Sequence, residues 1–235
     1  MTAARPRPPT DAGATHAPPR RGLVARAIYT CSSLLVRNLA LLFYRLRVTG
    51  LENVPKTGPL LVVANHQSHL DPPLIGVSFR HRNLYFMARG GLFRNRFFAW
   101  LIRNLNSIPV GEGAGEAAAI RTAIGVLRSG RALLIFPEGT RSPDGGLQPF
   151  KRGTWLLISR AQCPVLPVAI EGAFDAWPRW QRLPSLFGHR VSIAMGRVIQ
   201  PGPLLEMGDQ AALAAIAREI EALRRGLPRR RSGAR

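Results

Sequence analysis

The chain has 235 residues, of which 46% are hydrophobic, and this composition excludes a disordered protein and allows one sizeable domain with extensions. With 33 Lys and Arg against 13 Asp and Glu, the formal net charge of +20 predicts an anionic partner. Net charge alone does not distinguish nucleic acid, lipid headgroups and phosphorylated small substrates. The two cysteines, Cys31 and Cys163, have neither metal-binding nor disulfide spacing, so we expect two buried free thiols in a cytosolic protein.

The N-terminal part of the chain consists of a tail and a candidate membrane helix. Residues 1–22 are rich in Pro and Arg, lack the apolar block of a signal peptide, and predict a disordered basic tail. Residues 23–46 are apolar, but Arg26, Arg37 and Arg45 leave no uncharged block of the ~20 residues that a membrane span requires. Arg26 and Arg37 fall on nearly one helix face, opposite an apolar face. We therefore predict an amphipathic helix on the cytoplasmic face of an anionic membrane; a core helix with outward arginines is the alternative.

Beyond residue 50, apolar runs alternate with helical patterns. The apolar runs predict strands at Leu60–Ala64, Leu84–Ala88, Ala132–Phe136, Val165–Ile170 and Val191–Met195. The helical patterns lie at Leu74–Arg80, Leu92–Leu105, Glu116–Leu127, Gly153–Ala161 and Gln210–Arg225. This order predicts a single α/β domain over residues 47–226, with a mixed, partly parallel sheet flanked by helices, followed by a basic tail over residues 227–235.

The polar stretch NHQSHLD, residues 65–71, comes directly after the first of these apolar strands. Open α/β sheets bind ligands at the carboxyl ends of their strands, so this is a site position. Pro72 restricts Asp71 to extended geometry and suits the first turn of a helix, so Asp71 resembles an N-cap. The short loop lets His66 fold back toward the Asp71 carboxylate. The carboxylate would then fix the tautomer of the imidazole, and the imidazole would take a proton from a hydroxyl.

Three other interpretations of this stretch stay open. His66, His69 and Asp71 would suit a metal ion, although no further ligand recurs downstream at ligand spacing. Ser68 would be a covalent nucleophile, although the chain has no G-x-S-x-G elbow. Asp71 would serve only as a helix cap, which leaves His66 without a role.

A second polar group, FPEGTRS at residues 136–142, follows the apolar run RALLIF. It offers a carboxylate, a permissive glycine, a hydroxyl and a guanidinium in four successive residues, Glu138, Gly139, Thr140 and Arg141. Arginine matches phosphate oxygens with a planar fork, and glycine lets backbone N–H groups approach an anion. Lys151, in the segment PFKRG, adds positive charge nearby. This group predicts a phosphate-binding site.

A segment rich in aromatic residues, EGAFDAWPRWQRLPSLFGHR, spans residues 171–190. It sets Trp177, Trp180 and Phe187 among arginines and prolines. Such amphipathic aromatics suit a membrane interface or the mouth of an acyl groove, and equally suit a packed surface loop. We assign no function to His81 or His189.

Together these motifs resemble the glycerolipid acyltransferases of the lysophosphatidic acid acyltransferase type, whose markers are H-x4-D and FPEGTRS. The resemblance also includes LFRNRFFAWLIRNLNSIPV, PFKRG and CPVLPVAIEG, and covers roughly residues 47–201. It implies a glycerol-3-phosphate acyltransferase-like fold. It also implies transfer of a fatty acyl group from acyl-CoA or acyl-carrier protein to the free hydroxyl of a lysophospholipid, first of all 1-acylglycerol 3-phosphate, giving phosphatidic acid.

The resemblance also implies roles for individual residues. His66 is the general base and Asp71 orients it, while residues 138–141 contribute to the site of the phosphate-bearing acceptor. A thioester is already activated, so we expect neither a cofactor nor a metal. The expected partners are the lysophospholipid, the acyl thioester with its carrier, and an anionic membrane surface, and not nucleic acid.

One segment departs from the family pattern. Members commonly carry an arginine shortly after IPV, whereas GEGAGE follows here and no arginine occurs before Arg121. Arg89, Arg94 or Arg103 would substitute, or the acceptor would carry a different headgroup. A nucleic-acid-binding protein and a lipid-binding protein without catalysis remain the alternatives from other classes.

Overall fold

The computed structural model describes residues 23–89, 91, 96, 99–100, 102, 106–110 and 115–228. Within these residues, seven strands form one sheet in the order β1-β7-β6-β2-β5-β3-β4, and every neighbouring pair is parallel except β6 and β7. The strands are β1 Arg47–Thr49, β2 Leu60–Ala64, β3 Leu84–Arg89, β4 Ser107–Val110, β5 Ala132–Ile135, β6 Val165–Glu171 and β7 Ser192–Met195.

Helices cover both faces of this sheet. They are α1 Leu23–Tyr44, α2 Asp71–Ser78, α3 Gly115–Arg128, α4 Arg152–Ala161, α5 Ala173–Ala176, α6 Pro201–Met207 and α7 Asp209–Gly226, with a 3-10 turn at Leu51–Asn53. Buried side chains of α1, α2 and α5 pack on one face, and those of α3, α4, α6 and α7 pack on the other. The described residues therefore form three layers with the sheet in the middle.

The central strand β2 shows why its sequence is an unbroken apolar run. All five of its residues are buried. Leu60, Val62 and Ala64 face one apolar layer, while Leu61 and Val63 face the other. A parallel strand covered by helices on both sides requires apolar residues at every position, because successive side chains point to opposite faces.

The mixed α/β sheet flanked by helices was predicted from the sequence, and so was the location of five strands. Two strands, β1 and β4, were not predicted. Helix α1 ends at Tyr44 rather than at residue 46, because Arg45 adopts a left-handed conformation (φ 44°) before β1 begins. Cys163 is buried as expected, but the expectation for Cys31 was wrong, since it is exposed on α1.

Some predicted segments lie wholly or largely outside the described residues. These are the basic tail over residues 1–22, the helix predicted over residues 92–105, and residues 229–235 of the C-terminal tail. Residue 227, predicted to begin that tail, is buried against the helical layer. None of the helices in the described ranges is both long enough and apolar enough to cross a bilayer.

Candidate active site

The two polar motifs leave neighbouring strands at the same edge of the sheet. Strands β2 and β5 are parallel partners, with Val63 opposite Ile135. The stretch NHQSHLD begins directly after the last residue of β2, and FPEGTRS begins directly after the last residue of β5. The backbone N–H of Ser142 donates to the His66 carbonyl at 2.7 Å, which ties the two loops together. The predicted location at the carboxyl ends of the strands therefore brings both motifs into one site.

Asp71 organises the histidine loop. One carboxylate oxygen, Oδ2, accepts hydrogen bonds from His66 Nδ1 at 2.8 Å, from the Gln67 N–H at 2.6 Å and from the Ser68 N–H at 2.7 Å. The side chain is fully buried. The prediction that Asp71 is the N-cap was wrong, because Asp71 is the first residue of α2 and Leu70 is the N-cap. The Asp71 carboxylate binds the loop before the helix rather than the helix N-terminus. The predicted pairing of His66 and Asp71 is present.

The His66 ring is fixed on two sides. Asp71 holds Nδ1, and the Phe136 ring stacks on the imidazole with centroids 4.0 Å apart and planes at 19°. The side chain keeps 18% of its surface exposed. Because an ionised carboxylate only accepts hydrogen bonds, it selects the tautomer protonated at Nδ1. The neutral ring then carries its lone pair on Nε2, which is the form that a general base requires.

Glu138 supports His66 through the main chain. Its Oε1 accepts the His66 backbone N–H at 2.7 Å, and its Oε2 accepts the Gln148 N–H at 3.1 Å. The residue is only 3% exposed. Burial raises the pKa of Glu138 to about 7, although the two backbone hydrogen bonds oppose this shift. Both carboxylate oxygens are therefore engaged in holding the loops.

Cationic groups lie beside this pair of loops. Gly139 has a left-handed φ of 68°, and a Cβ there would lie 2.7 Å from the Lys151 Nζ, so the lysine side chain crosses directly over the glycine. Burial lowers the pKa of His69, and the nearby Arg141 guanidinium lowers it further. The site therefore combines a histidine–carboxylate pair with at least two cations that an anionic ligand would pair with.

The remaining predicted binding residues have different outcomes. Thr140 is exposed on the same loop as Arg141. Arg103 and Arg94 lie outside the described residues, and so does the side chain of Arg89, whose backbone ends β3. Their contribution to the site stays a prediction.

The structure bears on two alternative roles of this loop, a covalent nucleophile at Ser68 and a metal site. The Ser68 hydroxyl donates to the Trp177 carbonyl at 2.8 Å and accepts the Leu70 N–H at 3.2 Å, and the residue is fully buried. Its oxygen is thus engaged in packing the loop against the segment that follows β6. Within the residues that the structure describes, no cluster of three His, Cys, Asp or Glu side chains is arranged to hold a metal.

A network of hydrogen bonds and salt bridges behind the site was not predicted from the sequence. The Gly145 carbonyl accepts hydrogen bonds from the Gln67 side chain and from the Arg224 guanidinium, both at 2.8 Å. Arg224 also contacts Glu171 and Glu221, each at 3.0 Å. These contacts link the histidine loop to helix α7. No local sequence signal indicates them, because the partners are far apart in the chain.

Comparison with known proteins identifies a family for this chain. The acyltransferase family model matches residues 45–171, more than half of the chain. The chain is 33% identical over 145 residues to the 1-acyl-sn-glycerol-3-phosphate acyltransferase of Pseudomonas aeruginosa, covering 60% of this chain and 55% of that protein. A chloroplastic enzyme of the same name from Brassica napus is 30% identical over 142 residues, which cover 58% of this chain and 40% of the relative. The chain thus spans about half the length of these two relatives.

A solved structure extends the likeness to most of the chain. The 1-acyl-sn-glycerophosphate (LPA) acyltransferase PlsC from Thermotoga maritima superposes with a TM-score of 0.69 at 31% identity. The superposition covers 86% of this chain and 78% of that protein. The family match includes both motif loops and the strands that carry them. On these grounds, the chain belongs to the acyltransferase family.

Proposed function

We propose that this chain is an O-acyltransferase that moves a fatty acyl group from acyl-CoA or acyl-carrier protein to the free hydroxyl of a lysophospholipid. The first expected acceptor is 1-acylglycerol 3-phosphate, and the product would be phosphatidic acid. The names of the relatives support this choice, since those proteins are 1-acyl-sn-glycerol-3-phosphate acyltransferases.

The observation that carries the proposal is the 2.8 Å contact between His66 Nδ1 and Asp71 at the edge where FPEGTRS also emerges. In the proposed reaction, His66 Nε2 takes the proton of the acceptor hydroxyl while its oxygen attacks the thioester carbonyl. The tetrahedral intermediate then expels the thiolate, which recovers the proton from His66. An ester bond forms and the thioester bond breaks, with no covalent enzyme intermediate.

Acceptor binding is assigned to the cations beside the histidine. Arg141 and Lys151 would pair with the phosphate of the acceptor, while Gly139 and Thr140 would line its approach. Glu138 would act indirectly, by fixing the His66 backbone. Arg89 and Arg103 stay proposed as additional phosphate ligands.

We further propose attachment to the cytoplasmic face of an anionic membrane through helix α1. Large apolar side chains of α1 project outward: Leu34 is 51% exposed, Leu35 is 59% exposed and Leu42 is 70% exposed. Such side chains, flanked by arginines, favour the interface between headgroups and acyl chains. This arrangement would set the protein beside a lipid acceptor.

The function is tested by incubating the purified chain with a panel of lysolipids and either acyl-CoA or acyl-carrier protein, followed by mass spectrometry of the products. We expect phosphatidic acid from 1-acylglycerol 3-phosphate. If only a different lysolipid gives a diacylated product, the assignment moves to the headgroup of that lysolipid. The panel includes such lysolipids because the sequence has no arginine shortly after IPV. No acylated product with any pair would overturn the proposal.

A further inference from the structure

A cavity of about 350 Å³ lies between the end of α1 and the segment before β7. No step proposed above uses it. Its volume falls within the roughly 300–1,000 Å³ of small-ligand sites. The side chains that matter for its chemistry are those of Leu42, Phe43, Arg45, Phe187, His189 and Arg190.

The polar lining of this cavity is cationic. Arg45 and Arg190 line it, and no Asp or Glu belongs to its described lining. In the part of the chain that the structure describes, neither arginine forms a salt bridge. The Nδ1 of His189 is buried and has no hydrogen-bond partner among the same residues. Because buried polar atoms are nearly always paired, the buried His189 Nδ1 favours a polar ligand, and the two exposed arginines beside it favour one that is anionic and bears oxygen.

The walls of the cavity are held in place by contacts between distant parts of the chain. The Val191 N–H donates to the Tyr44 carbonyl at 2.9 Å, and the Arg47 N–H donates to the Val191 carbonyl at 3.0 Å. The rings of Phe43 and Phe187 meet edge to face, with centroids 5.3 Å apart. Arg45 has a φ of 44°, an uncommon conformation for a residue with a side chain. These contacts fix the two segments that line the cavity relative to each other.

The rim of the cavity is apolar and faces solvent. Leu42 is 70% exposed, Phe187 is 74% exposed, and Leu183 on the same segment is also 74% exposed. A site for a free anion has no need of such side chains, whereas a lipid at a membrane surface presents an anionic headgroup directly above apolar chains. The combination of cations in the lining and large apolar side chains at the rim favours a phospholipid.

We propose that this cavity binds the phosphate group of an anionic phospholipid at the membrane surface. Arg45, Arg190 and His189 would contact the phosphate, and Leu42 and Phe187 would enter the acyl region. This inference rests on the membrane attachment proposed above and adds a discrete headgroup site to it.

The position of the cavity relates it to the candidate active site. The start of β7 lies beside the end of β6, with Ser192 opposite Glu171, and the start of β1 lies beside the start of β7. The cavity therefore opens at the sheet edge from which His66 emerges. A phospholipid bound there would hold this edge toward the membrane that contains the acceptor.

The test is co-sedimentation of the full chain with phosphatidylcholine vesicles that contain phosphatidylglycerol, without acyl donor or lysolipid. The cavity variant carries Arg45→Asn, which tolerates the left-handed backbone, together with Arg190→Gln. The control variant carries Arg160→Gln and Arg197→Gln, which remove the same charge from two exposed residues at the opposite edge of the sheet. Circular dichroism verifies the fold, and Arg190→Gln alone serves if the double variant does not fold.

We expect the cavity variant to bind about thirtyfold more weakly than the wild type, and the control to stay within about threefold of it. Equal losses in both variants would mean general charge attraction and would overturn the site. Inorganic phosphate that displaces the chain as effectively as soluble short-chain phosphatidylglycerol would also overturn the lipid assignment. Failure of the proposed function is seen separately, as a lack of turnover by wild-type chain whose vesicle binding still depends on the cavity arginines.

Discussion

Glu138 holds the backbone of His66 from the neighbouring strand, with 2.7 Å between the His66 nitrogen and Oε1 of the carboxylate. Asp71 holds the ring of the same histidine at 2.8 Å. Two buried carboxylates therefore fix one residue, one through its side chain and the other through its peptide group.

Replacement of Glu138 by Gln should change how stability depends on pH. Burial raises the pKa of Glu138 to about 7, so the folded state binds its proton more tightly than the unfolded state. The stability that this proton contributes is present below the ordinary pKa and is lost as pH rises through about 7. Between pH 5 and pH 8, the free energy of unfolding of the wild type should fall by on the order of 2 kcal/mol more than that of Glu138→Gln. Urea unfolding at both pH values measures this difference, with exposed Glu52→Gln as control; parallel losses would contradict it.

His66→Ala should lower kcat by at least ~10²-fold, because the proposed general base is removed. His81 provides a matched control, since it is exposed on the segment after α2 and has no proposed role. His81→Ala should keep a rate near that of the wild type. Steady-state turnover with 1-acylglycerol 3-phosphate measures both. Substantial turnover by His66→Ala would remove the mechanism.

Arg141→Gln should raise the KM for the phosphate-bearing acceptor by about tenfold or more, with a smaller change in kcat. A hydrogen bond to a charged group contributes about 1.5–3 kcal/mol, and the loss falls on binding when the phosphate is remote from the reacting atoms. The control is Arg121→Gln on the exposed surface of α3. An unchanged KM for Arg141→Gln would show that the phosphate binds elsewhere.

Gly139→Ala should displace the Lys151 side chain and raise the acceptor KM, whereas Gly130→Ala should leave the acceptor KM unchanged. Both glycines have a left-handed φ, 68° and 76° respectively, so both alanines share the backbone penalty of roughly 1 kcal/mol. Only at Gly139 would the new Cβ meet another group, the Lys151 side chain, whereas it meets nothing within 4 Å at Gly130. Thermal unfolding should show similar losses of stability in the two variants, and steady-state kinetics should show the higher acceptor KM of Gly139→Ala alone. An unchanged acceptor KM in Gly139→Ala would contradict the role of Lys151 in binding the acceptor.

Arg224→Met should destabilise the fold by about 3 kcal/mol, because it leaves two carboxylates and the Gly145 carbonyl without their buried partner. Arg225→Met is the matched control, since the Arg225 side chain is 77% exposed and forms a longer ion pair, with 3.5 Å between its Nε and Glu221 Oε1. Its expected cost is under about 1 kcal/mol. Denaturant unfolding of the two variants should separate them clearly; similar values would mean that the Arg224 contacts contribute no more than surface pairs.

The fold could be predicted where burial leaves a continuous pattern. The apolar run at β2 predicted that strand at its observed bounds, because both faces of the strand are buried. The two missed strands are short: β1 has three residues, two of them exposed, and β4 has four residues that include Pro109. Strand β4 is at the sheet edge, where a missing N–H is tolerated, so its sequence resembles a loop.

The candidate site could be predicted only where its contacts are local or follow from strand ends. His66 and Asp71 are five residues apart, so the loop length itself suggested their pairing. The contact between Glu138 and His66 joins residues 72 apart, and the contact between Arg224 and Gly145 joins residues 79 apart. Both depend on which strands and helices become neighbours. Their amino-acid types alone therefore gave no indication of these roles.

The reversed direction of β7 has a consequence for how such a protein can vary. Because β6 and β7 are antiparallel, the segment between them, which includes α5, leaves and re-enters the sheet at the same edge. Insertions or deletions there would leave the register of every parallel pair untouched. A change confined to the exposed part of this segment, around Leu183 and Phe187, would alter the apolar surface there and leave the strands β2 and β5 as they are.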